Sequence, residues 1–335
     1  MHKLATDWLV GFFAASCLLS IYCSSALIVS IETFARKLGL NEVTLGLIAA
    51  LCADTPEITS AFTAHASTHS NIGVGIVVGS NLFNIATLLG LGAIIARKIK
   101  LERDVIANEG LFALVVAALS FLFVARLIPG PATLVISVLA FILYIAVTTN
   151  KLKESWLSKL PLSISKYLRA SSQHEKMELK PAIDDLSNKT IRPLWGVISL
   201  VGVILASVVM ESSASTFGSR FGISPLIVGA IFLAAITSMP NLVAAIFLAR
   251  RGRSSALLSE ALNSNSINLL AGLFIPGLIF GIGKLDQSSS FIVVANLVIT
   301  FGLLMYCYIR RGLTATSGIA IIALYLALIL LSIQI

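Results

Sequence analysis

Charge is what this 335-residue sequence has least of. Asp, Glu, Lys and Arg together make up 12% of it, against 57% hydrophobic residues. Soluble proteins carry about 25% charged residues, so this chain lacks the polar surface needed to cover its apolar mass. A soluble enzyme or binding domain is excluded, and the chain reads as an all-α integral membrane protein in a lipid bilayer. Cysteine is scarce too: Cys17, Cys23, Cys52 and Cys307 lie inside apolar runs with no CxxC or Cys/His spacing. That pattern argues against a disulfide framework or structural zinc and fits buried free thiols. No HExxH, GxSxG or Ser/Lys arrangement appears in the apolar segments, so neither an intramembrane enzyme nor a cofactor is expected. The net charge of +8 would suggest a nucleic-acid partner in a soluble domain; in a membrane protein its distribution matters more, and no nucleic acid is expected.

Apolar segments run at about 7–32, 43–66, 71–96, 106–126, 131–149, 194–212, 223–249, 255–282, 291–309 and 313–334. The first continues well past the 7–15 residues of a signal-peptide core, so it reads as a retained helix. Numbering the connections tests the count of ten. Twenty of the 24 Lys and Arg fall on one side, in the connections near 36, 97–103, 151–192, 250–253 and 310, and only Lys3, Arg126, Arg220 and Lys284 on the other. The positive-inside rule then places both termini outside and the middle loop in the cytoplasm. The short loops suggest a bacterial inner membrane. Residues 1–150 and 194–335 each hold five spans, joined by a polar linker at 151–193.

The halves repeat. CADTPEITSAF (52–62) aligns, proline on proline, with AITSMPNLVAA (235–245), and VGSNLFNIATL (78–88) with LNSNSINLLAG (262–272). Pro56 and Pro240, Ser80 and Ser264, Asn81 and Asn265, and Asn84 and Asn268 are each 184 apart. An odd number of spans per half turns the second copy over, giving two inverted five-helix repeats. Secondary transporters commonly use this plan and place the substrate near the membrane midplane between the repeats.

Asp54 and Glu57 fall mid-span, where a carboxylate costs roughly 2.5–3.5 kcal/mol. Pro56 and Pro240 open their helices and free backbone carbonyls, such as that of Ala53, as possible ligands. Asn84, Asn241 and Asn268 add amide oxygens, and Ser80, Ser238 and Ser264 add hydroxyls. This oxygen-only set suits a hard cation such as Ca2+, with Na+ or protons competing. For Asn81 and Asn265, bonding between helices is as good an account as ion contact. Gly75 and Gly79 form a GxxxG packing face. His65 and His69 read as an interfacial pair facing the outer solution.

At these blocks the sequence resembles the cation/calcium exchanger superfamily, which includes sodium/calcium and proton/calcium exchangers. Family halves carry Thr-Ser-x-Pro-Glu, then Gly-Ser-Asn-x-x-Asn/Asp. Here the first half reads Ala53-Asp54-Thr55-Pro56-Glu57 and Gly79-Ser80-Asn81-Leu82-Phe83-Asn84. The second reads Thr237-Ser238-Met239-Pro240-Asn241 and Asn263-Ser264-Asn265-Ser266-Ile267-Asn268. The resemblance implies a secondary antiporter exchanging Ca2+ for Na+ or protons by alternating access, with Glu57 central. It also marks departures: Asn241 stands where the family has Glu, Asn263 where it has Gly, and Asp54 where it has Ser. If Asp54 points inward, the site holds a charge of −2. If it points away, a monovalent cation/proton exchanger fits better. A transport-inactive sensor or assembly protein is the reading from another class.

Overall fold

The computed structural model describes residues 6–37, 50–148, 193–282, 285 and 287–334. The 151–193 linker expected from sequence lies almost wholly outside these residues. In the first half, the helices are α1 (Thr6–Lys37), α2 (Thr55–Ala66), α3 (Ser70–Ala96), α4 (Arg103–Val124) and α5 (Gly130–Thr148). In the second they are α6 (Pro193–Phe221), α7 (Pro225–Thr237), α8 (Met239–Arg250), α9 (Ser254–Phe280), α10 (Gln287–Arg310) and α11 (Ala315–Gln334). Seven are long and apolar enough to cross a membrane, eight when α7 and α8 are taken as one span bent by 49°. The two other expected spans correspond to α2, preceded by helix at 50–53, and to the 19-residue α5.

Two short strands qualify the all-helical expectation. β1 (Lys98–Lys100) pairs antiparallel with β2 (Gly312–Thr314), and the Lys100 amide donates to Ser254 Oγ at 3.3 Å. Three connections that the charge pattern assigned to one side therefore meet at one end of the molecule. They bring together Arg97, Lys98, Lys100, Arg253, Arg310 and Arg311. The opposite end is tied by Ser289 Oγ donating to Asn71 Oδ1 at 3.1 Å and by Arg220 donating to Thr6 Oγ1 at 3.0 Å. The alternation read from charge is thus present in three dimensions.

Burial separates centre from periphery. About 94% of the apolar stretch of α3 is buried, against 11% of that of α11. α3 and α9 are the middle of the protein, and large apolar side chains on α1, α5, α6 and α11 face outward, as lipid contact requires. The GxxxG of α3 does what its spacing suggests. A Cβ on Gly79 would lie 2.5 Å from Ala230 Cα, and one on Gly75 would lie 2.9 Å from the carbonyl oxygen of Leu226, so α3 and α7 meet backbone to backbone. The four cysteines are buried thiols.

Candidate functional site

Two helix breaks organise the site. The helices are interrupted by a turn at Asp54 (φ −82°, ψ −3°) and at Ser238 (φ −82°, ψ 9°), positions 184 apart, each followed by a helix with proline in its first turn. Proline is tolerated there because the first-turn amides have no partner within their own helix. The break also frees the carbonyl four residues before Pro56, that of Cys52. Ser24 Oγ of α1 donates to this carbonyl at 3.3 Å, so here the freed oxygen ties α1 to the break instead of facing an ion. Neither α3 nor α9 continues as a plain α-helix after its motif. Each widens into π-helix, at Ile85–Leu91 and Asn268–Phe274. Such bulges concentrate at functional sites.

The side chains at these breaks form one network across the two halves. Asp54 and Glu57 are wholly buried. Asp54 Oδ1 accepts from Ser264 Oγ of α9 at 2.6 Å and from Asn241 Nδ2 of α8 at 3.0 Å. Asn241 Nδ2 also reaches Asn84 Oδ1 at 3.2 Å and Ser264 Oγ at 3.1 Å. Asn84 Nδ2 donates to Ser264 Oγ at 2.9 Å. Glu57 Oε1 accepts from Ser238 Oγ at 2.9 Å. Asp54 thus points inward, onto polar groups of the second repeat.

The oxygens left over are more telling. Asp54 Oδ2, Glu57 Oε2, Ser80 Oγ, Asn241 Oδ1 and Asn268 Oδ1 are buried and have no hydrogen-bond partner. An unmet buried polar atom costs about 1–3 kcal/mol, and these five, on α2, α3, α8, α9 and at the Asp54 break, are all oxygens, the atom type that a hard cation takes as ligand. Asn81 and Asn265 differ. Each amide nitrogen donates to the other residue's backbone carbonyl at 3.1 Å, a reciprocal clasp between α3 and α9. Asn268 Nδ2 approaches Asn81 Oδ1 at 3.5 Å.

Other expectations need correction. His65 does not face solution: it is buried, its Nδ1 2.9 Å from the Ala61 carbonyl and its ring packed on Gly73. His69 is exposed and pairs with the buried Glu211 of α6 at 3.1 Å. The i,i+4 spacing placed both histidines at one helix end, but the turn at Ser67 and Thr68 separates their surroundings. Sequence reasoning also passed over three acids within spans. Glu211 is one, and Glu109, which accepts from Tyr144 Oη at 2.8 Å, is another. The third is Glu260, half-buried on α9. Each could have been found as an acid in an apolar run.

The chain is similar to known proteins over most of its length. The family model described as sodium/calcium exchanger protein matches residues 8–153 and 192–334. The inner membrane protein YrbG of Escherichia coli is 26% identical over 310 residues, covering 91% of this chain and 90% of its own. The sodium/calcium exchanger MaX1 of Methanosarcina acetivorans is 23% identical over 321 residues, covering 89% and 91%. A solved structure of the sodium-calcium exchanger NCX_Mj, soaked with 10 mM Na+ and zero Ca2+, superposes with a TM-score of 0.58 at 20% identity. It covers 96% of this chain and 98% of that one, and so shares its fold.

Proposed function

This chain belongs to the sodium/calcium exchanger protein family, and from that premise we propose that it is a secondary cation antiporter exchanging Ca2+ for Na+ or protons by alternating access. The observation that carries this reading is the set of five buried, unpartnered oxygens, three of them (Asp54, Glu57 and Asn241) within three residues of the two symmetry-related helix breaks and two on the central helices α3 and α9. Glu57 and Asp54 supply the charge. Two ionised carboxylates three residues apart, about 6 Å, repel by roughly 3 kcal/mol at an effective dielectric constant of 20; a cation between them removes that cost and satisfies the free oxygens together. Ser80, Asn84, Ser238, Asn241, Ser264 and Asn268 complete the polar wall, while Asn81 and Asn265 hold α3 to α9. The end carrying the basic connections faces the cytoplasm, as the positive-inside rule requires. The names of the relatives MaX1 and NCX_Mj support both the ions and the exchange.

The test is reconstitution in liposomes with radiolabelled Ca2+ uptake driven by a Na+ gradient, then by a pH gradient, beside Glu57→Gln. Gradient-driven uptake that is lost in folded Glu57→Gln supports the assignment, and undiminished uptake in that variant overturns it. One feature favours a second reading, a monovalent cation/proton exchanger: Asn241 turns an amide nitrogen, not a carboxylate, toward Asp54. That reading expects Na+ or proton flux with no Ca2+ uptake under either gradient.

A further inference from the structure

The two repeats differ most on one face of their central helices. On α3 the face made by Ile72, Gly75, Ile76 and Gly79 is buried against α7, with backbone on backbone. Adding 184 to each number gives Ala256, Ser259, Glu260 and Asn263 on α9. There the fully buried Ile76 is replaced by a carboxylate and Gly79 by an amide, and both Glu260 and Asn263 are partly exposed. Inversion makes the α3 face point away from the basic end and the α9 face point toward it. The α3 stretch is thus apolar and packed backbone to backbone, while the corresponding α9 stretch carries Glu260 and Asn263, both partly exposed.

Glu260 sits between rim and site. Ser254, at the helix start, is bonded to the basic rim through the Lys100 amide. Six residues inward, about 9 Å along the axis, comes Glu260, and Ser264 follows one further turn in, about 6 Å. Ser264 donates to Asp54. Residues 260, 263 and 264 share a face. Glu260 has no hydrogen-bond or ion-pair partner among the described residues, and Ser259 Oγ beside it is buried and unpartnered. Among the described residues no three His, Cys, Asp or Glu side chains are grouped to hold one metal ion. An acid held in a span without a partner is costly, and a role in an ion path accounts for it.

Building on the antiport reading, we propose that Glu260 forms a separate staging position for the transported cation, one helical turn from the central site on the route from the basic end. Its protein ligands are the Glu260 carboxylate and the Asn263 amide oxygen, with water filling the rest of the shell of a hard cation. The position offsets the repulsion that a basic rim imposes on an incoming cation, since a like-signed mouth lowers local cation concentration.

The test uses full-length protein in liposomes of defined orientation. In Glu260→Gln the cation concentration giving half-maximal uptake from the basic end rises about tenfold, and that from the opposite end stays within about twofold; Glu260→Asp lies between. No change at either end, or an equal change at both, overturns the proposal. Uptake absent in the unaltered protein would be a failure of the antiport reading, and a second measurement then decides for Glu260. Asn263→Cys is labelled from each side with cationic and anionic membrane-impermeant thiol reagents, the native cysteines being buried. The expected result is labelling from the basic end, about tenfold faster with the cationic reagent, with the preference abolished by adding Glu260→Gln. Labelling only from the other end, or no charge preference, overturns it.

Discussion

Asp54 Oδ1 takes two donors from the opposite repeat, and one of them, the Asn241 amide nitrogen, occupies a place a cation can also fill. Nδ2 of Asn241 lies within 3.2 Å of three oxygens, on Asp54, Asn84 and Ser264, while its own Oδ1 is unpartnered. On the antiport reading, a cation at Asp54 competes with that N–H for Oδ1, while the unpartnered Asn241 Oδ1 is available as a ligand. Asn241→Asp keeps the shape, removes the competing donor and adds a charge. It is expected to raise Ca2+ affinity relative to Na+ by about tenfold, near 1.4 kcal/mol, as measured by competition for uptake. Asp54→Ser is expected to reduce Ca2+ affinity by a similar factor or more; unchanged Ca2+ uptake would show that Glu57 alone carries the divalent charge and favour the monovalent reading.

Among the elements, the contact of α3 with α7 depends on the absence of side chains. A Cβ on Gly75 or Gly79 already falls at or inside 3 Å of α7 backbone, so Gly79→Leu forces the helices apart. Overpacking of this kind costs about 1–3 kcal/mol; a lower midpoint of thermal unfolding in detergent, together with reduced exchange, is the expected outcome. Gly302, with nothing near its Cβ position, is the control: Gly302→Ala leaves packing undisturbed and is expected to raise stability slightly by favouring helix. The π-helical turns after Asn84 and Asn268 belong to the same scale. They put the same irregularity into both central helices beside the site.

For the whole molecule, orientation and ligand linkage are the measurable properties. Cysteines introduced at Thr314, exposed at the basic end, and at Ser67, exposed at the other, should react with an impermeant thiol reagent only from the cytoplasmic and the outer side respectively. The reverse pattern would invert the assignment drawn from charge. A transported cation that binds the folded protein must stabilise it, by about 2.7 kcal/mol at a hundred times its dissociation constant. A rise in unfolding temperature with Ca2+ or Na+, absent in Glu57→Gln, is expected, whereas no ion effect would favour the transport-inactive reading.

Length, hydropathy, charge alternation and the 184-residue repeat determined the membrane class, the ten-span plan and the two blocks that become the site. These are periodic or compositional properties, which a bilayer enforces locally on every span. The prolines likewise marked both helix breaks. What the sequence alone did not decide depends on which groups meet. Cys52's carbonyl is taken by Ser24 of α1, His65 is covered by the next helix, Asn81 and Asn265 clasp each other, and Asp54 faces inward onto Asn241 and Ser264. Glu260 lay outside both repeated blocks and opposite an isoleucine in the first half, so the repeat gave no sign of it. Its place one turn from Ser264 follows from spacing along α9, whereas the partial exposure of its side chain is decided by packing between helices, which tertiary structure fixes and spacing along one helix does not.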